Sequence, residues 1–176
     1  PGFFYIPPVD RDEARFAQAT KQMIESGDYV DIRFQDDVRY KKPVGIYWMQ
    51  AAAVQTASAL GLPGAQLRIW IYRIPSLIGA TGAVLLTYWT ALAFVTRRGA
   101  VFAALMMCGS VLLGAEARLG KTDAMLLLTV VAAMGALARY RFFRDQRMTK
   151  QEVRDEMRDE EGDGQVKAKR RQRARQ

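Results

Sequence analysis

Charge disappears from three stretches of this 176-residue chain, 74–96, 99–115 and 124–138, which are 23, 17 and 15 residues long. As a helix rising about 1.5 Å per residue, the first can cross roughly 30 Å of hydrocarbon. The other two reach that span if Glu116, Arg118 and Arg139 extend their charged ends toward the headgroups. The competing reading is a buried helical hairpin in a soluble protein, but three such runs in succession would need a much larger surrounding globule. The pattern therefore predicts an all-α membrane protein with about three transmembrane helices, at about 74–96, 99–117 and 121–138. These divide the chain into a polar first region, 1–73, the spans, 74–138, and a charged tail, 139–176.

The first region carries its own helical patterns. Residues 11–26 predict a helix outside the membrane, with Asp10 as N-cap, Glu13 completing a capping box and Gly27 ending it. Residues 28–42 are polar and read as irregular. Residues 44–60 predict a second helix, apolar but studded with Gln50, Gln55, Thr56 and Ser58. Tyr47 and Trp48 suit a membrane interface, and Gly61-Leu62-Pro63 stops the helix. Its expected place is interfacial or packed on the bundle. In the tail, Thr149 to Glu152 forms another capping box, opening a helix of about twelve residues to Glu161. Like charges recur there at i, i+4, which makes the helix marginal alone. Gly162-Asp163-Gly164 breaks it, and 167–175 is almost purely basic.

Charge sets the orientation. The chain has 26 Lys plus Arg against 18 Asp plus Glu, net +8, and half of the basic residues follow residue 138. Arg97 and Arg98 fill the loop between the first two runs, and Arg139, Arg141, Arg144 and Arg147 follow the third. The positive-inside rule puts both sets in the cytoplasm and leaves 1–73 and the loop 116–123 outside. Asp12, Lys42 and Asp123 are thus expected on one face. Pro1 suggests a fragment whose first transmembrane helix has been cut away.

Composition narrows the chemistry. With no His, Ser-His and Cys-His nucleophile arrangements are excluded, and so is the commonest zinc site. The single Cys108 excludes a disulfide framework. A divalent metal held by carboxylates stays open, so the cofactor is unknown. No aromatic residues interleave with the final basic run, which argues against nucleic acid. The bland account of that run is attraction to an anionic lipid bilayer.

Acid and base concentrate in Asp10-Arg11-Asp12-Glu13-Ala14-Arg15. On a helix, Asp12 and Arg15 face the same way. Such a pair suits a carboxylate that takes a proton from a hydroxyl beside an Arg that grips a phosphate. Lys41 and Lys42 can add point charges. The simpler alternative is that Asp10 and Glu13 cap a helix and Arg15 pairs with one of them. Asp123, at the outer end of a short span, fits either a polar cavity or an N-cap.

These residues fall in a familiar order. Asp12-Glu13-Ala14-Arg15-Phe16-Ala17, Ser26 to Val30, Arg39-Tyr40-Lys41-Lys42-Pro43, Tyr47-Trp48, Leu67-Arg68, Arg73 to Ser76 and Thr122-Asp123-Ala124 follow one another. Over about residues 3–138 the chain resembles the N-terminal part of bacterial membrane glycosyltransferases of the protein O-mannosyltransferase-like group, which includes the aminoarabinose transferase of lipid A. The resemblance implies an inner-membrane enzyme with 1–73 in the periplasm and a polyprenyl-phosphate sugar donor, transferring with inversion. It makes Asp12 the catalytic base or organiser of the acceptor and Asp123 the second catalytic acidic position, and it gives Arg15 and Lys42 to the donor phosphate. Lys41 stands where lipid A-modifying relatives carry an acidic residue, a departure that bears on metal binding and on an aminoarabinose substrate.

The tail has a different likeness. Arg147 to Glu156, Glu161-Gly162-Asp163 and Val166-Lys167 resemble the cytoplasmic linker of the flagellar and type III secretion export-gate switch protein, over about residues 140–176. Gly164 replaces its usual Pro, and the Asn-Pro-Thr-His cleavage motif is absent. This likeness implies export-gate subunits as partners of 140–176, with the spans as anchor. The two families do not normally share a chain, so the sequence reads as an apparent chimera joined near Arg139–Arg144. The transferase portion is expected to be inactive as a fragment.

Overall fold

A computed structural model describes residues 3–147, 150–160 and 171–174. It divides into two units, Pro1–Ala138 and Arg139–Gln176.

The first unit is built from the expected helices with local differences. Helix α1, Arg11–Ser26, starts where the Asp10 carboxylate accepts the Asp12 N–H at 2.8 Å and ends at Gly27, whose φ of 72° only glycine adopts cheaply. Phe16, Ala19, Thr20 and Met23 recur at helical spacing and are buried. They face helix α2, Gly45–Ala59, where the Phe16 and Tyr47 rings lie 5.3 Å apart. Ile32 and Ile46 complete that core. So α2 is packed, with Ile46, Tyr47, Gln50, Ala51, Val54 and Ala57 buried.

The stretch expected to be irregular contains a small antiparallel ladder, β1 Arg33–Phe34 with β2 Asp37–Val38. Gln35 turns it at φ 58°. Each strand is only two residues long, too short to leave a period-2 signal.

Helices α3, Ile69–Tyr72, and α4, Ile74–Ala91, run on from each other. Helix α7 is Asp123–Asp145. The segments Ile69–Ala91 and Asp123–Asp145 are long and apolar enough to cross a membrane. Both turn apolar side chains outward: Leu77, Ile78, Leu85 and Trp89 on one, Leu126, Val130, Met134 and Leu137 on the other. The run expected as a middle span, 99–117, is two helices instead, α5 Arg97–Cys108 and α6 Val111–Glu116. The interruption follows local chemistry: Ser110 leaves helical geometry and its hydroxyl accepts the Leu113 N–H, which starts a new helix.

Small residues let α4 and α7 approach. A Cβ on Gly79 would lie 2.8 Å from the Ala124 backbone, and one on Gly135 would overlap the Thr90 hydroxyl. Ala80, Leu113 and Ala124 form the core between these helices and α6.

In the second unit, helix α8 covers Lys150–Glu160. Val153 and Met157 are exposed on it. The expected capping residue Thr149, the Gly162–Gly164 break and most of the basic run lie outside the described residues.

Candidate functional site

The centre of the first unit is an ion pair between chain segments far apart in sequence. Arg73, at the junction of α3 and α4, donates through Nε to Glu13 Oε1 at 2.6 Å and through Nη2 to Oε2 at 3.1 Å. Both side chains are almost completely removed from solvent, at 1% and 0% exposure. A buried pair survives only if its remaining hydrogen-bonding capacity is met. Here Gly120 N–H donates to Glu13 Oε1 at 3.0 Å, and Arg73 also donates to the Phe3 and Pro7 carbonyls. Glu13 therefore points inward to Arg73 and Gly120, where the sequence suggested a capping box that reaches back to Asp10.

Gln50 joins the same loop from α2. Its amide donates to the Tyr72 and Gly120 carbonyls at 3.2 and 3.1 Å, and its oxygen accepts the Thr20 hydroxyl at 2.7 Å. Ser76 donates to the Lys121 carbonyl at 3.0 Å, and the Lys121 ammonium pairs with Asp10. The loop before α7 is thus held by α1, α2 and α4 together. The Lys121 bond, followed by the Asp12 N–H bond, keeps the Asp10 carboxyl below the ordinary carboxylate range.

Against this frame the four sequence-derived residues take different positions. Asp12 is exposed and pairs with Arg15 at 3.5 Å on the outer face of α1. Asp123 is exposed at the start of α7, with the Thr122 hydroxyl 3.5 Å from its Oδ1. Each lies two positions from a member of the Asp10–Lys121 pair, so the two carboxylates stand beside one clamp. Lys42 is exposed, three residues before α2, and no hydrogen bond or ion pair ties it to the other three.

Arg15 also borders a groove of about 400 Å³ lined by Phe34, Asp37, Val38, Arg39 and Lys41. Lys41, rather than Lys42, thus shares a surface with Arg15. Among the described residues no three Asp, Glu or Cys side chains converge as a metal-ligand set.

Sequence reasoning missed Arg73, Gln50, Gly120 and Arg39, and it misread the partner of Glu13. One signal was available for Gln50: it occupies the same helical face as Ile46, Tyr47 and Val54, where a polar side chain needs a partner. Gly120 contributes only backbone groups, which leave no trace in residue type.

Comparison with known proteins supports both resemblances. The model of the FlhB HrpN YscU SpaS family matches residues 69–176. The undecaprenyl phosphate-α-4-amino-4-deoxy-L-arabinose arabinosyl transferase of Aeromonas hydrophila is 27% identical over 139 residues, covering 75% of this chain and 24% of that protein. The enzyme of the same name from Erwinia tasmaniensis is 27% identical over 145 residues, covering 74% and 24%. This chain spans about a quarter of the length of these curated relatives. The export-family match begins well before residue 140, where the tail motif starts, so the two matched stretches overlap within the apolar part. No solved structure matches.

Proposed function

We propose, for a chain that belongs to the FlhB HrpN YscU SpaS family through residues 69–176, that its N-terminal three quarters carries the donor-side chemistry of a membrane glycosyltransferase. In this reading the Asp12 carboxylate accepts the proton of an acceptor hydroxyl as that oxygen attacks the sugar carbon. Arg15 and Lys42 hold the phosphate of a polyprenyl-phosphate donor, which leaves with the bonding electrons while the sugar carbon inverts. Asp123 is the second acidic group.

The observation that carries this reading is the clamp of Asp10–Lys121 and Glu13–Gly120. It ties the first turn of α1 to the loop before α7, so Asp12 and Asp123 flank one seam. The likeness to two arabinosyl transferases supports it independently. The test is Asp12→Asn at the matching position of a full-length relative, assayed in membranes with a polyprenyl-phosphate sugar donor. Loss of a general base lowers turnover by about 10²–10⁴, and unchanged turnover would sink the assignment.

The proposed topology has three crossings, with α5 and α6 together forming the middle one. It puts 1–73 in the periplasm and 139–176 in the cytoplasm of a bacterial inner membrane. Arg97 and Arg98, which open α5 between the first two apolar runs, and Arg139, Arg141, Arg144 and Arg147 after the last run support that sidedness. A reporter active only in the periplasm, fused after Gln176, should stay silent.

A second reading is favoured by the family match itself. Residues 140–176 would contact export-gate subunits, with the apolar helices as anchor. Capture of such subunits by the membrane-embedded full chain, lost on deleting 140–176, is the expected result. No capture removes this reading.

A further inference from the structure

The least expected charge in the first unit is Arg39. Its side chain is nearly buried, at 9% exposure, and its guanidinium lies over the Phe16 ring at 5.5 Å and the Phe34 ring at 6.0 Å. Its Nε donates to the Tyr47 hydroxyl at 3.2 Å. Among the described residues no carboxylate comes within ion-pair distance of it. Aromatic faces attract a cation but do not neutralise it. A guanidinium taken from water without a counter-ion is costly, and proteins usually pair such a group or use it to bind an anion.

The surroundings provide room for that anion. Arg39 opens on the groove of about 400 Å³ that it shares with Arg15 and Lys41. Lys41 is exposed and, like Arg39, has no acidic partner among the described residues. Arg15 is already paired with Asp12. Asp37 is the one carboxylate on the wall, exposed at the rim and paired with neither cation. Phe34 and Val38 supply apolar surface, which suits the carbon face of a sugar ring beside its charged group.

We infer that this groove is a second anion subsite, beside the Arg15 and Lys42 positions assigned to the donor phosphate, and that it takes an acidic saccharide through its carboxylate or phosphate. The inference rests on the transferase reading for the saccharide, and on Arg39 and Lys41 for the charge. Arg39 is the fixed, desolvated anchor. Lys41 is the mobile rim charge that sets which sign of substituent is admitted.

The test measures binding by the purified full chain in detergent, without any transfer step. The probes are glucuronate, glucose 1-phosphate, inorganic phosphate, glucosamine and glucose. The two acidic sugars should bind more tightly than glucose or glucosamine. Lys41→Glu should weaken them by about tenfold or more, while Lys21→Glu, the same charge change elsewhere on the first unit, should not. Arg39→Met should lose the acidic sugars while its thermal midpoint holds or rises, because an uncompensated buried charge has been replaced by an apolar chain of similar length. Equal affinity for neutral and acidic sugars, or equal losses in Lys41→Glu and Lys21→Glu, would overturn the subsite. Inorganic phosphate binding as tightly as glucose 1-phosphate would overturn its saccharide character. A lower midpoint in Arg39→Met with acidic-sugar binding intact would make Arg39 a packing residue and overturn its role as anchor. Unchanged turnover in Asp12→Asn of the full-length relative would sink the transferase reading yet leave these binding results standing.

Discussion

Glu13 and Arg73 are sixty residues apart in sequence, and their side chains meet at 2.6 Å with almost no contact with solvent. Asp12, the neighbour of Glu13, faces outward. Two adjacent acidic residues on one helix turn therefore do opposite work: one anchors the helix and the other stays at the surface, paired with Arg15.

Removing one member of that pair leaves the other buried and uncompensated. Glu13→Ala is expected to cost about 3–5 kcal/mol, read as denaturant or thermal unfolding in detergent. Replacing both, Glu13→Leu with Arg73→Met, should recover part of the loss. A single substitution within about 0.5 kcal/mol of the parent would mean that the pair is not buried in solution.

Gln50 satisfies two carbonyls and one hydroxyl at once. Gln50→Leu matches its size but strands those groups, each at about 1–3 kcal/mol if water cannot reach them. Gln50→Glu should also destabilise at neutral pH, since a carboxylate cannot donate to the Tyr72 and Gly120 carbonyls. Hydrogen exchange at the Gly120 amide should rise in both variants.

The Asp10–Lys121 link predicts a pH dependence. Lys121, then the Asp12 N–H, lowers the Asp10 carboxyl from its ordinary 3.8. A depressed carboxyl contributes stability above its unfolded value, and that contribution is lost as pH falls through the folded one. The window therefore lies below about pH 4. Asp10→Asn should flatten part of the acid limb of a stability-versus-pH curve. Part of the slope should remain, because backbone N–H groups hold Asp28 low and the Tyr40 hydroxyl and Arg33 hold Asp31 low.

The α4–α7 seam separates two glycines by what a methyl group would meet. At Gly79 the obstacle is the Ala124 backbone, which cannot step aside without moving the helix. At Gly135 it is the Thr90 hydroxyl, which can rotate. Gly79→Ala is expected to cost about 1–3 kcal/mol and Gly135→Ala less. Thermal midpoints of the two variants in the same detergent compare them directly, and the reverse order would contradict this packing.

Much of the architecture was legible in the residues because it is local. The ends of α1 at Asp10 and Gly27 rest on capping within four positions. The i, i+3 spacing alone puts Asp12 and Arg15 together. The uncharged runs announced α4 and α7, and the stop at Gly61 announced the end of α2. The family order of motifs marked Asp12, Arg15, Lys42 and Asp123 but could not say which of them touch.

Local rules were less able to decide between competing local options. Glu13 stands at the right spacing for a capping box, yet a guanidinium sixty residues away satisfies it better than one backbone N–H. An unbroken apolar run at 99–115 hides the new helix start at Ser110, because hydropathy does not register a hydroxyl turning back on the chain. By itself the sequence determined the capped ends of α1, which faces are apolar and which side chains are neighbours on a turn, since those follow from interactions across three or four residues. The tertiary structure alone decided that Glu13 meets Arg73, that Gln50 and Gly120 lock the loop before α7, and that Arg39 is buried with no counter-ion among the described residues. Those contacts exist only once packing has removed water from groups distant in the chain and left them no other partners.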